Sequence, residues 1–118
     1  MDENCDLRER TKTFALRIVR MYASLPKAPA AQVLGRQVLR GGTSVGAHYR
    51  EACRSRSTAE FVSKIEGGQQ VLEETSYRLE LLVDSGILPV KRLTALQQEA
   101  EELAAIFASS AITAKKHK

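Results

Sequence analysis

Apolar positions recur at steps of three and four along almost the whole chain. Leu7, Thr11, Phe14, Ile18, Met21 and Leu25 alternate these steps, which places them on one stripe of a helix from about Asp6 to Ser24. Asp6 followed by Glu9 has the spacing of a capping box, with Asp in the role of the hydroxyl residue. Pro26 and Pro29 interrupt the pattern, and Pro29 suits the first turn of a second helix. That helix, from about Ala30 to Arg54, carries the stripe Leu34, Val38, Gly41, Val45, His48 and Ala52. Ser57 and Glu60 form a capping box for a third helix, about residues 58–84, on Phe61, Ile65, Gly68, Leu72, Thr75, Leu79 and Leu82. Gly86 fits the left-handed position after it, and Pro89 blocks continuation. A fourth helix spans about Val90 to Ala111 on Leu93, Leu96, Ala100, Leu103 and Phe107, and Lys115 to Lys118 read as a flexible, solvated tail. No run alternates with period two, so the fold class is all-α: a single-domain antiparallel up-down four-helix bundle.

The second helix has an unusual stripe. Gly41 and Gly42 sit in its middle, where each costs about 1 kcal/mol against Ala. Gly42 and Gly46 are four apart, with Ala47 beside them. Either the helix bends or another backbone approaches closely along this seam.

Composition adds a limit. The chain has 118 residues, 43% hydrophobic but only 5% aromatic and no Trp, so the core is aliphatic. The longest uncharged run, Leu103 to Ala114, falls short of the roughly 20 residues of a membrane span. Cys5 and Cys53 follow no apolar leader, and are read as two free thiols in a reduced, cytoplasmic protein.

The net charge of +4 is divided unevenly. From Arg10 to Arg56, ten Lys or Arg accompany one acid, Glu51; from Ser57 to Ala114, nine acids accompany four basic residues. Arg36, Arg40, Arg50 and Arg54 share a face of helix two, helix one adds Arg10, Arg17 and Arg20, and Arg56 follows helix two. Such a surface can grip the phosphates of RNA or DNA, or dock an acidic protein. No aromatic residue interleaves it for base stacking. Alternatively it neutralises helices three and four, or meets their acidic faces in a sister copy. The last arrangement is head-to-tail and closes into a ring when the rotation permits. Glu51, alone among Arg50, Arg54 and Arg56, stays ionised and is placed to organise them.

Catalytic patterns are sparse. Di-metal bundles need Glu-x-x-His pairs, and neither His48 nor His117 has one, so no metal or other cofactor is expected. Gly41 to Gly46 lacks the Lys and hydroxyl residue that complete a phosphate loop. Cys53 and His48 are five apart on a helix and point in different directions. A thiol site around Cys53, His48 and Glu51 is therefore the weakest functional reading.

Two segments carry a family resemblance. Gln37-Val38-Leu39-Arg40, Ser44 to Ala52 (Ser-Val-Gly-Ala-His-Tyr-Arg-Glu-Ala), Ser57 and Phe61 form the first, and Glu73 to Leu82 the second. Over roughly Arg36 to Leu88 the chain resembles the bacterial ribosomal-RNA intervening-sequence proteins. His48 stands where that family usually has Asn, Arg78 where Trp is common, and Gly67-Gly68 where helix formers are usual. The resemblance implies an up-down four-helix bundle, a ring-like homopentamer and no known enzymatic activity. It also implies packing or subunit-contact roles for Ser44, Gly46, Ala47, Tyr49, Glu51, Ala52, Glu74 and Tyr77.

Overall fold

The computed structural model describes residues 3–117, with side chains from Leu7 onward. Among the described residues there are four helices and no strand: α1 (Glu3–Ala23), α2 (Pro29–Cys53), α3 (Thr58–Asp84) and α4 (Val90–Lys116). Each packs on its chain neighbour, and α1 closes on α4 through a looser seam. The result is an up-down four-helix bundle, 48 Å in its longest dimension.

Local chemistry sets the helix ends. Pro29 opens α2, where its missing N–H costs nothing. The Ser57 hydroxyl accepts from the Glu60 N–H at 3.1 Å and caps α3. Gly86 takes the left-handed conformation, with φ +79°, and lets Ile87 and Leu88 N–H groups return to the Leu82 carbonyl.

The apolar stripe of α1 is buried throughout from Leu7 to Leu25, Thr11 included. The Thr11 hydroxyl donates to the Leu7 carbonyl at 2.8 Å, which satisfies it inside the core. The stripes of α3 and α4 also face inward, apart from Phe61, which is half-buried in the first turn of α3. In α2 the buried line is rotated from expectation. Val38, Gly41, Val45 and Ala52 are buried as expected, but Ala31, Gly35, Gly42 and Tyr49 join them, while Leu34 and His48 lie at the edge, half-buried. Tyr49 is only 2% exposed, its ring centroid 6.1 Å from that of Phe107.

The glycines of α2 resolve the choice between a bend and a close approach. The helix is continuous, and two neighbours press on it. A Cβ at Gly42 would lie 2.7 Å from Ile18 Cγ1, and one at Gly46 would lie 3.3 Å from Thr11 Oγ1, both on α1. Gly41 turns the other way, towards Thr75 of α3. The seam thus serves helix contacts within the chain.

Two expected boundaries move. α1 begins at Glu3 rather than Asp6, so Asp6 lies within the helix instead of capping it. α4 continues to Lys116, five residues past the expected end. Its last turn carries Lys115 and Lys116, which favour the negative end of the helix dipole. Lys115 also pairs with Glu66 at 2.8 Å, so Lys115 and Lys116, expected in a flexible tail, are helical and the first is tied to α3, while Lys118 lies outside the described residues.

Candidate functional site

The arginines singled out by charge do not form one stripe. Helix packing separates them into four groups, with Arg54, at the C-cap of α2, belonging to two of them. Arg10 points from α1 to α4, where its Nη2 lies 2.7 Å from Glu99 Oε1 and 3.0 Å from Glu102 Oε1, and its Nε donates to Glu99 Oε2 at 3.1 Å. The hydrogen bond to Glu99, then that to Glu102, drives its pKa further above the usual arginine range. Arg10 is therefore an internal tie, engaged away from any docking surface.

The second group is on the outer face of α2. Arg36, Arg40 and Arg54 are exposed and Arg50 is half-buried. Among the described residues, none lies within ion-pair distance of a carboxylate. Arg36 and Arg40 flank an open groove of about 590 Å³ that also takes in Val33, Gln37, Leu39 and Thr43. Apolar Val33 is 49% exposed there.

Arg17 and Arg20 form a third group with Arg92, along the α1–α4 seam. Charge counting missed Arg92, because it belongs to the acidic half of the sequence. The antiparallel pairing of helices one and four was the available signal, since it brings the start of one level with the end of the other.

The fourth group lies at the turn between α2 and α3, where Arg54 and Arg56 share an open groove with Glu51, Glu60 and Lys64. Glu51 has a different partner from the one expected. Its Oε1 lies 3.0 Å from Lys64 Nζ on α3. That hydrogen bond is the main cause of its lowered pKa, with Lys64's charge second and those of His48 and Arg54 minor. Glu51 links α2 to α3 rather than organising the arginines.

The residues of the family pattern face both ways. Tyr49 and Ala52 are buried, and Gly46 lies against Thr11. Ser44 is half-buried, its hydroxyl donating to the Gly41 carbonyl at 3.0 Å. Ala47, Glu51, Glu74 and Tyr77 are exposed. Tyr77 is 60% exposed on the outer side of α3, near Glu73, Glu74 and Glu80 in sequence. The outer faces of α2 and α3 are thus opposite in charge.

The thiol reading finds no assembled site. Cys53 is free and exposed; the Cys5 side chain lies outside the described residues. His48 packs against Gly67 and Gly68, its Nδ1 buried without a hydrogen-bond partner, so that nitrogen does not orient Cys53. Among the described residues, no three His, Cys, Asp or Glu side chains converge as a metal site, and no helix is long and apolar enough to cross a membrane.

Comparison with known proteins agrees with the four-helix fold. None of the curated proteins compared with the chain matches it. A crystal structure from Bacteroides thetaiotaomicron, a protein of unknown function from the S23 ribosomal protein family, superposes with a TM-score of 0.87 at 29% identity. The match covers 93% of this chain and 98% of that one. The family model described as 23S rRNA-intervening sequence protein matches residues 3–109, which takes in most of all four helices. The chain belongs to the 23S rRNA-intervening sequence protein family.

Proposed function

We propose that this chain is a non-catalytic bundle that assembles with its own copies into a ring, five being the number the family resemblance implies, and docks a polyanion. The α2 outer face, with Arg36, Arg40, Arg50 and Arg54, is the docking face, and RNA or DNA is the favoured ligand. One observation carries the reading. Arg10, Lys64 and Lys115 reach across to carboxylates of other helices, whereas the α2 arginines, like Arg17, Arg20 and Arg92 on the α1–α4 seam, have none among the described residues. A row of guanidiniums along a helix of 25 residues, about 37 Å long, matches the repeating charge of a phosphate backbone. The family's name refers to intervening sequences of 23S rRNA, which adds a nucleic-acid context without a ligand.

A second reading uses the same face. The exposed Tyr77 and the acids around it on α3 of a sister copy complement the α2 arginines and the groove beside Val33. In that case the protein is an interaction scaffold with no nucleic-acid contact. The double variant Arg36→Gln/Arg40→Gln separates the two. Light scattering reports assembly, and RNA binding across a salt series reports phosphate contacts. Loss of RNA binding with the oligomer intact, and a shallower salt slope, supports the nucleic-acid face. Dissociation into 13.0 kDa subunits assigns the face to the ring. A wild-type chain that is monomeric and binds no RNA at low salt removes both readings.

A further inference from the structure

We propose that the groove between the end of α1 and the start of α4 is a phosphate-binding site formed by Arg17, Arg20 and Arg92. These three guanidiniums line a groove of about 230 Å³ whose remaining lining is Met21 and Leu96. Both of those side chains are buried, so the floor is apolar. No carboxylate lines the groove, and among the described residues none lies within ion-pair distance of any of the three arginines. The first turn of α4, which supplies Arg92, carries no acid either.

Further along the same seam the arrangement is the reverse. There Arg10 meets two carboxylates of α4, Glu99 and Glu102. One seam therefore holds a neutralised arginine at one level and three unneutralised ones at another. Three like charges around one groove repel each other, and a bound anion removes that repulsion. Low-dielectric walls concentrate the field of such a cluster on whatever enters. Arg92 is also held in place, since its Nη2 donates to Ser24 Oγ at 2.9 Å and Ser24 Oγ donates to the Met21 carbonyl at 2.7 Å. The planar guanidinium fork matches phosphate oxygens in pairs, which favours phosphate over chloride. This site is separate from the α2 face and holds whether that face takes nucleic acid or a sister copy.

Calorimetric titration of the intact protein with sodium phosphate, against sodium chloride at matched ionic strength, tests the site. The expected result is saturable phosphate binding that chloride does not reproduce. Arg92→Gln should weaken it about tenfold, the scale of one lost charge-assisted hydrogen bond. Lys12→Gln, an exposed cation of α1 outside both faces, should leave it unchanged. Binding that does not saturate, that chloride mimics, or that responds equally to Lys12→Gln and Arg92→Gln overturns the proposal. A single-stranded RNA oligonucleotide then identifies the source of the phosphate. Competition with inorganic phosphate in the groove assigns it to a nucleic-acid backbone, and saturable phosphate binding without competition assigns it to a free phosphate. RNA binding that is lost in Arg36→Gln/Arg40→Gln while phosphate binding persists separates this site from the α2 face.

Discussion

His48 and Gly67 meet across the interface of α2 and α3: a Cβ on residue 67 would lie 3.2 Å from the imidazole Cε1 and 3.3 Å from Nδ1. The next glycine is tighter still. A Cβ at Gly68 would lie 2.6 Å from Phe107 Cε2 and 3.3 Å from His48 Cβ. The glycine pair, costly to a helix, is the space that the histidine and the phenylalanine occupy.

The two glycines should therefore respond differently to alanine. At residue 67 the imidazole needs to yield by only a few tenths of an ångström, and the gain in helix propensity of about 1 kcal/mol opposes that cost. Gly67→Ala should leave stability within about 0.5 kcal/mol of the wild type. At residue 68 the obstacle is a fully buried ring, and overpacking costs about 1–3 kcal/mol. Set against the same gain of about 1 kcal/mol, Gly68→Ala should be destabilising by up to about 2 kcal/mol net. Urea unfolding of both variants measures the difference, and equal midpoints would show that Phe107 moves aside freely.

The seam between α1 and α4 offers a second contrast. Arg10 and Glu99 are 25% and 20% exposed and share two hydrogen bonds, whereas Glu102 is 64% exposed and shares one. Solvent screens the exposed pair far more. Arg10→Ala should cost about 1–2 kcal/mol, from a charge-assisted double hydrogen bond discounted for partial exposure. Glu102→Gln should cost below about 0.5 kcal/mol. Glu99→Gln should resemble Arg10→Ala more than Glu102→Gln. The ranking is read from thermal or urea unfolding at moderate salt, and a larger loss for Glu102→Gln would reverse the assignment.

Glu51 predicts an effect of pH. Lys64 lowers its pKa in the folded chain, so the folded state binds the proton less readily than the unfolded state. The stabilising contribution is then present above the ordinary carboxylate range and is lost as pH falls through the lowered folded value. Because the pair is exposed, the contribution is small and sensitive to salt. Titration followed by the Glu51 carboxyl carbon resonance should give a midpoint below that of a free glutamate. Lys64→Met should raise it most of the way back, leaving the smaller influence of Arg54 and His48. No movement in Lys64→Met would place the shift elsewhere.

The four helices were legible because their stripes are long and their stops are chemical: Pro29, the Ser57 cap and Gly86 end or begin elements wherever they sit. The rotation of α2 was not legible. Counting by threes and fours accepts either His48 or Tyr49, and the choice depends on which neighbour each faces; Gly67 and Gly68 admit the imidazole at the edge, while Phe107 meets Tyr49 inside. The basic surface was legible as a composition and not as a place. Arg10 and Arg17 are seven apart and share a face of α1, yet one bonds glutamates and the other lines a groove with Arg92, because the difference lies on α4. Glu51 found Lys64 for the same reason: the nearest opposite charge was across the bundle, not along the helix.

Tyr77 separates a packing role from a subunit contact. It is the most exposed of the large apolar side chains of the described residues, at 60%, so the monomer gains little from it. Tyr77→Ala should change the unfolding free energy of a single chain by less than about 0.5 kcal/mol, as surface substitutions do. If its face meets the α2 groove of a sister copy, the same change removes an aromatic anchor from the interface, and such anchors commonly carry about 2 kcal/mol or more. Assembly should then weaken by more than tenfold in light scattering across a dilution series, with the helical content unchanged by circular dichroism. Glu74→Lys, one turn away, should weaken assembly as well, by placing a positive charge opposite Arg36 and Arg40. Wild-type assembly in both variants would exclude the outer face of α3 from the subunit contact and leave the α2 arginines to another partner.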